Sequence, residues 1–196
     1  MSGAKNVIDM RPSKGFSPSQ GNGPLRRLDD CERAQKVRWN YAPSREHLNF
    51  EVGKGGVVTE VNKFKTINQR IQENLDSRGI VNPNKKYIGQ GLDPKYRTVA
   101  NFILGGNREV MRNLAFDNQE VDWEHGADNS DLKRMPEIEA WAKDAYAFMC
   151  KKYGEKNIAA FVVHLDEANP HVHCTVLPLT EKNRFSFIKT FMGGVD

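Results

Sequence analysis

The 196 residues carry 29 Lys and Arg against 25 Asp and Glu, a net charge of +4, and 38% of them are hydrophobic. That length fits one domain, or one domain plus a tail, with enough apolar side chains for a single core. No apolar run approaches the roughly 18–20 residues that cross a bilayer, which excludes a membrane protein, and mild basicity is compatible with nucleic acid without proving it. The N-terminus, Met1-Ser2-Gly3-Ala4-Lys5-Asn6, has no apolar segment of the signal-peptide type. Three cysteines, Cys31, Cys150 and Cys174, make no C-x-x-C pair and no disulfide framework, so a reducing cytoplasm is the expected compartment.

In chain order, residues 4–10 read as a short strand closed by Pro12. The stretch 12–24, with three Pro, three Gly and three Ser, reads as a mobile loop. Leu28–Trp39 is expected to be a short charged helix, Asn40–Arg45 a turn around Pro43, and His47–Val52 an alternating strand. Val61, Phe64, Ile67, Ile71 and Leu75 recur at helical spacing, with Gly79 as the stop. Arg97–Leu104 is a strand ended by Gly105-Gly106, and Asp117–Asn129 a polar loop carrying His125. Ser130 is expected to cap a long helix whose buried face is Met135, Ile138, Trp141, Ala142, Ala145, Phe148 and Met149, ending at Gly154. Asn157–His164 and His171–Leu179 then form two strands joined closely enough for an antiparallel hairpin. The blunt end at Gly193-Gly-Val-Asp196 is expected to continue into a longer protein, with residues 1–196 as its N-terminal catalytic domain.

His171 and His173, two apart on a strand, point to one face, and the hairpin brings His164 beside them. Three imidazoles on one face suit a divalent metal with positions left open for water or substrate. A lone strand histidine is usually structural; three converging are not easily so. Asp166 and Glu167 lie in the connecting loop, where either can serve as an outer hydrogen-bond acceptor, a further ligand or a general base, Glu167 being the favoured one. There is no H-E-x-x-H, and the cysteines are not spaced as zinc ligands.

The segment His164-Leu-Asp-Glu-Ala-Asn-Pro-His-Val-His173 resembles the third motif of the Mob/Pre plasmid mobilisation proteins, the MobV group of relaxases. Its His-hydrophobe-His element is that of the wider HUH endonucleases. Ser44-Arg-Glu-His-Leu-Asn-Phe50 is similar to the family's second motif, where the last position is commonly Tyr. The resemblance spans about residues 30–178. It implies nicking and closing of plasmid DNA at an origin of transfer, with a protein nucleophile joined to the 5′ phosphate and a released 3′ hydroxyl. It further implies that His164, His171 and His173 hold Mn²⁺ or Mg²⁺, which polarises the scissile phosphate, and that Glu167 activates or orients the nucleophile. The family's first motif is His-x-x-Arg; its match here is Asp30-Cys-Glu-Arg33, with Asp30 in the histidine position. Asp30 is therefore the first candidate nucleophile, Tyr41 the nearest phenol and Cys31 a third.

Arg26, Arg27, Arg33, Lys36, Arg38 and Arg45 cluster around Trp39 and Tyr41; Lys85, Lys86, Lys95 and Arg97 cluster around Tyr87 and Tyr96. Basic residues among aromatics suit phosphate contact with base stacking, although a merely solvated face reads the same way. Arg26, Arg27, Lys36, Arg38, Arg45, Asn49 and Arg97 are the expected DNA contacts, with Arg33 and Arg97 nearest the scissile phosphate. The expected fold is α+β, a central, largely antiparallel sheet carrying the HUH metal site and flanked by helices. Its expected partners are hairpin and single-stranded origin DNA and the conjugation coupling machinery. Two other readings stay open: an HUH nuclease of rolling-circle replication or transposition, and a non-catalytic, metal-stabilised DNA-binding module.

Overall fold

The expected hairpin stands at the middle of a single six-stranded sheet. The computed structural model describes residues 7–15, 23–37 and 41–193, with the backbone alone at Asp30, Ala34 and Val37. Its strands are β1 (Val7–Ser13), β2 (Phe50–Gly53), β3 (Val57–Glu60), β4 (Val99–Gly105), β5 (Ile158–His164) and β6 (His171–Val176). They lie in the order β1-β4-β6-β5-β2-β3, every neighbouring pair antiparallel. The helices are α1 (Asp30–Val37), α2 (Ile67–Ser77), α3 (Lys85–Ile88), α4 (Arg108–Phe116), α5 (Pro136–Tyr153) and α6 (Phe187–Phe191). This is the α+β class with an antiparallel sheet and flanking helices.

The period of two along each strand decides which side chain meets which helix. Phe161 and Val163 of β5, Val172, Cys174 and Val176 of β6, and Ala100, Phe102 and Leu104 of β4 form one core with Ile138, Ala142, Tyr146 and Met149 of α5. Those α5 residues fall at helical spacing on one face, and the Tyr146 ring meets Phe161 edge-on at 5.3 Å. The alternate residues Ala160 and Val162, with Val99 and Leu177, pack under Ile67, Ile71 and Leu75 of α2. β5 is apolar on both faces because it is covered on both. His164 and His173 share the parity of Val162, so the register His164↔His171 and Val162↔His173 puts all three imidazoles on the α2 side.

Several boundaries differ from expectation for local reasons. α2 begins at Ile67, not near Val61, because Thr66 and Gln69 close a capping box; Phe64 lies outside it, 94% exposed. Pro43–Leu48 is a 3-10 turn with Pro43 in its first turn, so the strand starts at Phe50 and His47 is not on it. α5 begins at Pro136 with Met135 as N-cap, six residues after Ser130, and Phe148 faces outward, 46% exposed. Pro12 lies inside β1 rather than closing it, as an edge strand permits. β3, α3, α4 and α6 were not foreseen, and β6 ends at Val176. Of the stretch 12–24, Gly23–Arg26 forms a tight turn, with Arg26 N–H to Gly23 O at 3.1 Å, and 16–22 lies outside the described residues, as do Arg38 and Trp39. No described helix is long and apolar enough to cross a membrane.

Candidate metal centre

The three imidazole rings crowd together, with centroids 5.3 Å apart for His164–His171 and 4.7 Å for His173 with either partner. One ring nitrogen from each lies within 4.8 Å of the other two, and the Nε2 atoms of His171 and His173 are 2.9 Å apart. Their hydrogen bonds fix which nitrogens carry protons. His164 Nε2–H donates to Pro24 O at 2.7 Å, and His171 Nδ1–H donates to Asn169 O at 2.9 Å, since a carbonyl can only accept. The lone pairs of His164 Nδ1 and His171 Nε2 are thereby left for another partner. His164 Nδ1 is buried and has no hydrogen bond, a state that normally costs stability and that a cation would relieve.

The electrostatics favour the neutral form of His164 and His173, the form ligation requires. Burial, then the Arg26 charge and the other two rings, hold His164 well below the usual histidine range. Burial and His171 push His173 down to about 3. Three converging imidazoles with a buried, unpartnered nitrogen on His164 fit a divalent transition metal better than they fit each other.

Behind the rings, the loop 165–170 is held through its carbonyls and its two carboxylates. Arg26, 2% exposed and in the left-handed region at φ 52°, grips Asp166 with Nε at 2.6 Å and Nη2 at 2.5 Å, and Nη2 also meets Glu167 at 2.6 Å. Asp166 is fully buried and takes a further bond from Asn49 Nδ2 at 2.6 Å. Five successive carbonyls of the loop each accept a bond. Arg45 holds Leu165 O and Glu167 O, Ala42 N–H holds Asp166 O, Arg112 holds Ala168 O, and His171 holds Asn169 O. Asn49 Oδ1 accepts the Leu165 N–H at 2.7 Å. Trp123 lies against both clamping arginines, Arg112 at 3.4 Å and Arg45 at 4.6 Å from its ring centre.

Glu167 sits at the rim, its carboxylate 3.9 Å from His164 Nδ1. Burial would raise its carboxyl, but Arg26 and the neighbouring histidines hold it below the usual carboxylate range. Arg33 and Tyr41 form a second cluster. Arg33 donates to Tyr41 and, at 2.7 Å, to Glu46, while the Tyr41 hydroxyl donates to Glu46, which Lys63 also meets. Tyr41 is 4% exposed, and burial with Glu46 beside it raises its phenol.

Of the expected DNA contacts, Arg26, Arg45 and Asn49 are corrected: all three are buried and committed to the 165–170 loop, so they position the metal hairpin rather than face solvent. Arg27 and Lys36 are half-buried, and Arg97 is exposed with its guanidinium 5.3 Å from the Phe187 ring. Arg38 and the Asp30 side chain lie outside what is described. Arg112 and the Pro24 carbonyl were missed, and nothing local marks them, since each acts on a partner far along the chain.

The family model described as plasmid recombination enzyme matches residues 111–194, which include all three histidines. A plasmid recombination enzyme of Bacillus thuringiensis is 30% identical over 165 residues, 81% of this chain and 30% of that protein. A type 1 plasmid recombination enzyme of Staphylococcus aureus is 30% identical over 147 residues, 71% of this chain and 36% of that one. The chain thus spans about a third of the length of these relatives. A manganese-bound MobM relaxase domain in complex with plasmid pMV158 oriT DNA shares the fold, with a TM-score of 0.62 at 19% identity over 95% of this chain and 76% of that one. Motifs, family model, curated relatives and fold agree in their similarity to the Mob/Pre family.

Proposed function

We propose that residues 1–196 act as a relaxase unit that nicks and rejoins one strand of plasmid DNA at an origin of transfer. The observation that carries the reading is the convergence of three imidazoles, one with a buried unpartnered nitrogen, in a chain similar to this family. His164, His171 and His173 would hold the cation, and when bound it would supply Lewis-acid polarisation of the scissile phosphate. The MobM complex is manganese-bound, and imidazole donors favour Mn²⁺ over Mg²⁺ here too.

The chain's own residues do the rest. Glu167, kept ionised beside Arg26, orients the attacking group. Asp30 is the first residue of α1, with Arg33 three residues on. An Asp30 carboxylate oxygen attacks the phosphorus, the bond to the 3′ oxygen breaks, and that oxygen leaves as a 3′ hydroxyl with a proton from solvent. Reversal of the step rejoins the strand. Tyr41 is demoted, because its hydroxyl is buried and given to Glu46; Cys31, which is exposed, remains the reserve. Arg27, Lys36 and Arg97 are the remaining phosphate contacts. The cytoplasm, where the free Cys31, Cys150 and Cys174 stay reduced, is the proposed compartment, and coupling proteins of conjugation are proposed partners.

The test is nicking of a supercoiled plasmid carrying the candidate origin in Mn²⁺, with mass spectrometry of the trapped adduct. A nicked plasmid with the oligonucleotide on Asp30 is expected. Binding without nicking or adduct overturns the reading and favours a metal-stabilised DNA-binding module, which the aspartate in the first-motif histidine position and the locked Tyr41 would suit.

A further inference from the structure

We propose that a basic, aromatic-walled groove between the C-terminal end of α2 and the turn before Phe185, remote from the histidines, is a second binding site for single-stranded DNA. The groove is about 490 Å³ and is lined by Arg78, Tyr96, Lys182, Arg184 and Phe185, among others, with no Asp or Glu in its walls. Cations without a carboxylate complement a polyanion, and an exposed ring accepts any base by its face.

Each wall is built. Arg78 caps α2 and is anchored by Asn157 Oδ1 at 3.0 Å and Asn183 Oδ1 at 2.6 Å, so it ties α2 to the turn carrying Lys182 and Arg184. Its Nε is buried with no hydrogen-bond partner. On the other wall Asn84, fully buried, fixes the backbone of the aromatic segment: its side chain bonds Tyr96 O at 2.7 Å, Tyr96 N at 2.8 Å and Lys95 N at 3.0 Å. Tyr96 is 42% exposed and stands 6.1 Å from the Tyr87 ring at 60°, with Lys95 at 5.9 Å from its centre and Lys86 at 4.9 Å from that of Tyr87. The adjoining acids are Asp76, Asp93 and Glu181, outnumbered by Arg78, Lys95, Arg97, Lys182 and Arg184.

Position favours a strand over a free phosphate. Phe185 packs into the core on the α2 side, so the groove opens on the histidine side of the sheet. β6 leads there from His171 to Val176, about 16 Å at 3.3 Å per residue, so an occupant at both places must be extended. The inference rests on the relaxase reading only for which strand arrives; an oligothymidylate probe in EDTA makes its test independent of the metal.

A fluorescein-labelled oligothymidylate of about 20 nucleotides should bind the wild-type chain, and Tyr96→Ala should weaken it about tenfold while Tyr96→Phe does not. Lys182→Gln with Arg184→Gln should lower the slope of log affinity against log salt by about two. Mn²⁺ affinity and thermal midpoint should stay at wild-type values in each. Wild-type affinity and slope in both the Tyr96→Ala and the double variant overturns the groove. So does displacement of the probe by polyglutamate as effective as by unlabelled oligothymidylate, which assigns the groove to an acidic protein. Inorganic phosphate competing at micromolar concentration overturns the strand in favour of a small anion. A wild type that binds the probe yet nicks no plasmid removes the relaxase reading and leaves the groove standing.

Discussion

The two faces of the sheet are finished in different ways. Against α5 the strands present Phe102, Phe161, Val163, Val172 and Val176, a continuous apolar layer. On the other face α2 covers only the half around Val162 and Leu177, and towards the β1 edge the register brings up Asp9, Arg11, Asn101 and Ile103 beside His173. The first face gains its free energy from packing and can be completed without a ligand. The second keeps three converging imidazoles beside a polar floor, with a buried unpartnered nitrogen on His164 that costs stability until something binds. One sheet can carry both because β5 and β6 alternate their side chains: the residues that secure the hairpin are not the residues proposed to hold the cation.

The sharpest way to break that comparison is to damage each face separately. Phe161→Ala should cost about 3–5 kcal/mol in urea unfolding through loss of a fully buried ring. His173→Ala should cost under about 1 kcal/mol. Mn²⁺ calorimetry should rank the pair in the opposite order, with His173→Ala losing more than the roughly 10–100-fold that removal of an outer hydrogen-bond partner costs. Comparable metal affinity in the two variants would end the triple-histidine assignment.

Arg26 joins the faces' two logics, since it is buried like a core residue yet serves the site. Arg26→Met leaves Asp166 charged, buried and short of its bidentate partner, and should destabilise by about 3–5 kcal/mol. Adding Asp166→Asn should recover part of that loss, because the remaining cost is an uncompensated charge and not a missing contact. A double variant no more stable than the single one would mean that Arg26 acts through packing alone.

The site was legible where its geometry is local. Three histidines within ten residues, on a hairpin with a side-chain period of two, determine one another's positions before any helix is placed. The burial of Arg26 and Arg45 is not legible in the sequence, because it depends on distant partners. Arg26 and Asp166 are 140 residues apart, and Arg45 meets Leu165 120 residues away, so a run of arginines reads as an exposed surface for DNA. Asn49, expected as a DNA contact, is likewise buried and bonded to Leu165 N–H and to Asp166. Among the elements, the long periodic helix and the central strands were readable, while β3 and α6, at four and five residues, are too short for a period to show. α4 carried a usable sign in Asn107, whose side chain caps Glu109 N–H and Val110 N–H.

Glu46 gives a pH-dependent test on the cluster beside the site. Burial would raise its carboxyl, but hydrogen bonds from Lys63, Tyr41 and Arg33 hold it below its ordinary value of 4.5. A carboxyl depressed in the fold adds stability above the unfolded value and loses it as pH falls through the folded one. Glu46→Gln should therefore cost about 2 kcal/mol at neutral pH. The gap to wild type should close as pH drops below 4.5. A gap that is constant with pH would show that the ionised carboxylate is not what holds Tyr41 and Arg33.

The smallest effect belongs to the capping box that starts α2, and it bears on whether the half-cover of the histidine face is rigid or merely present. Thr66 accepts from Gln69 N–H at 3.1 Å, and the Gln69 side chain accepts from Thr66 N–H at 2.8 Å, so two donors left free at the helix start are satisfied by exposed atoms. Thr66→Ala removes the first of these and should cost about 1 kcal/mol in urea unfolding. Ile67, Ile71 and Leu75 keep their places against Val162 and Leu177 in this variant, because burial and not the cap holds them there. Mn²⁺ affinity should then equal that of wild type, since none of the three histidines touches the first turn of α2 in any hydrogen bond described. A loss of metal affinity in Thr66→Ala would instead mean that α2 positions the imidazoles through Val162, and that the two halves of this face are one mechanical unit.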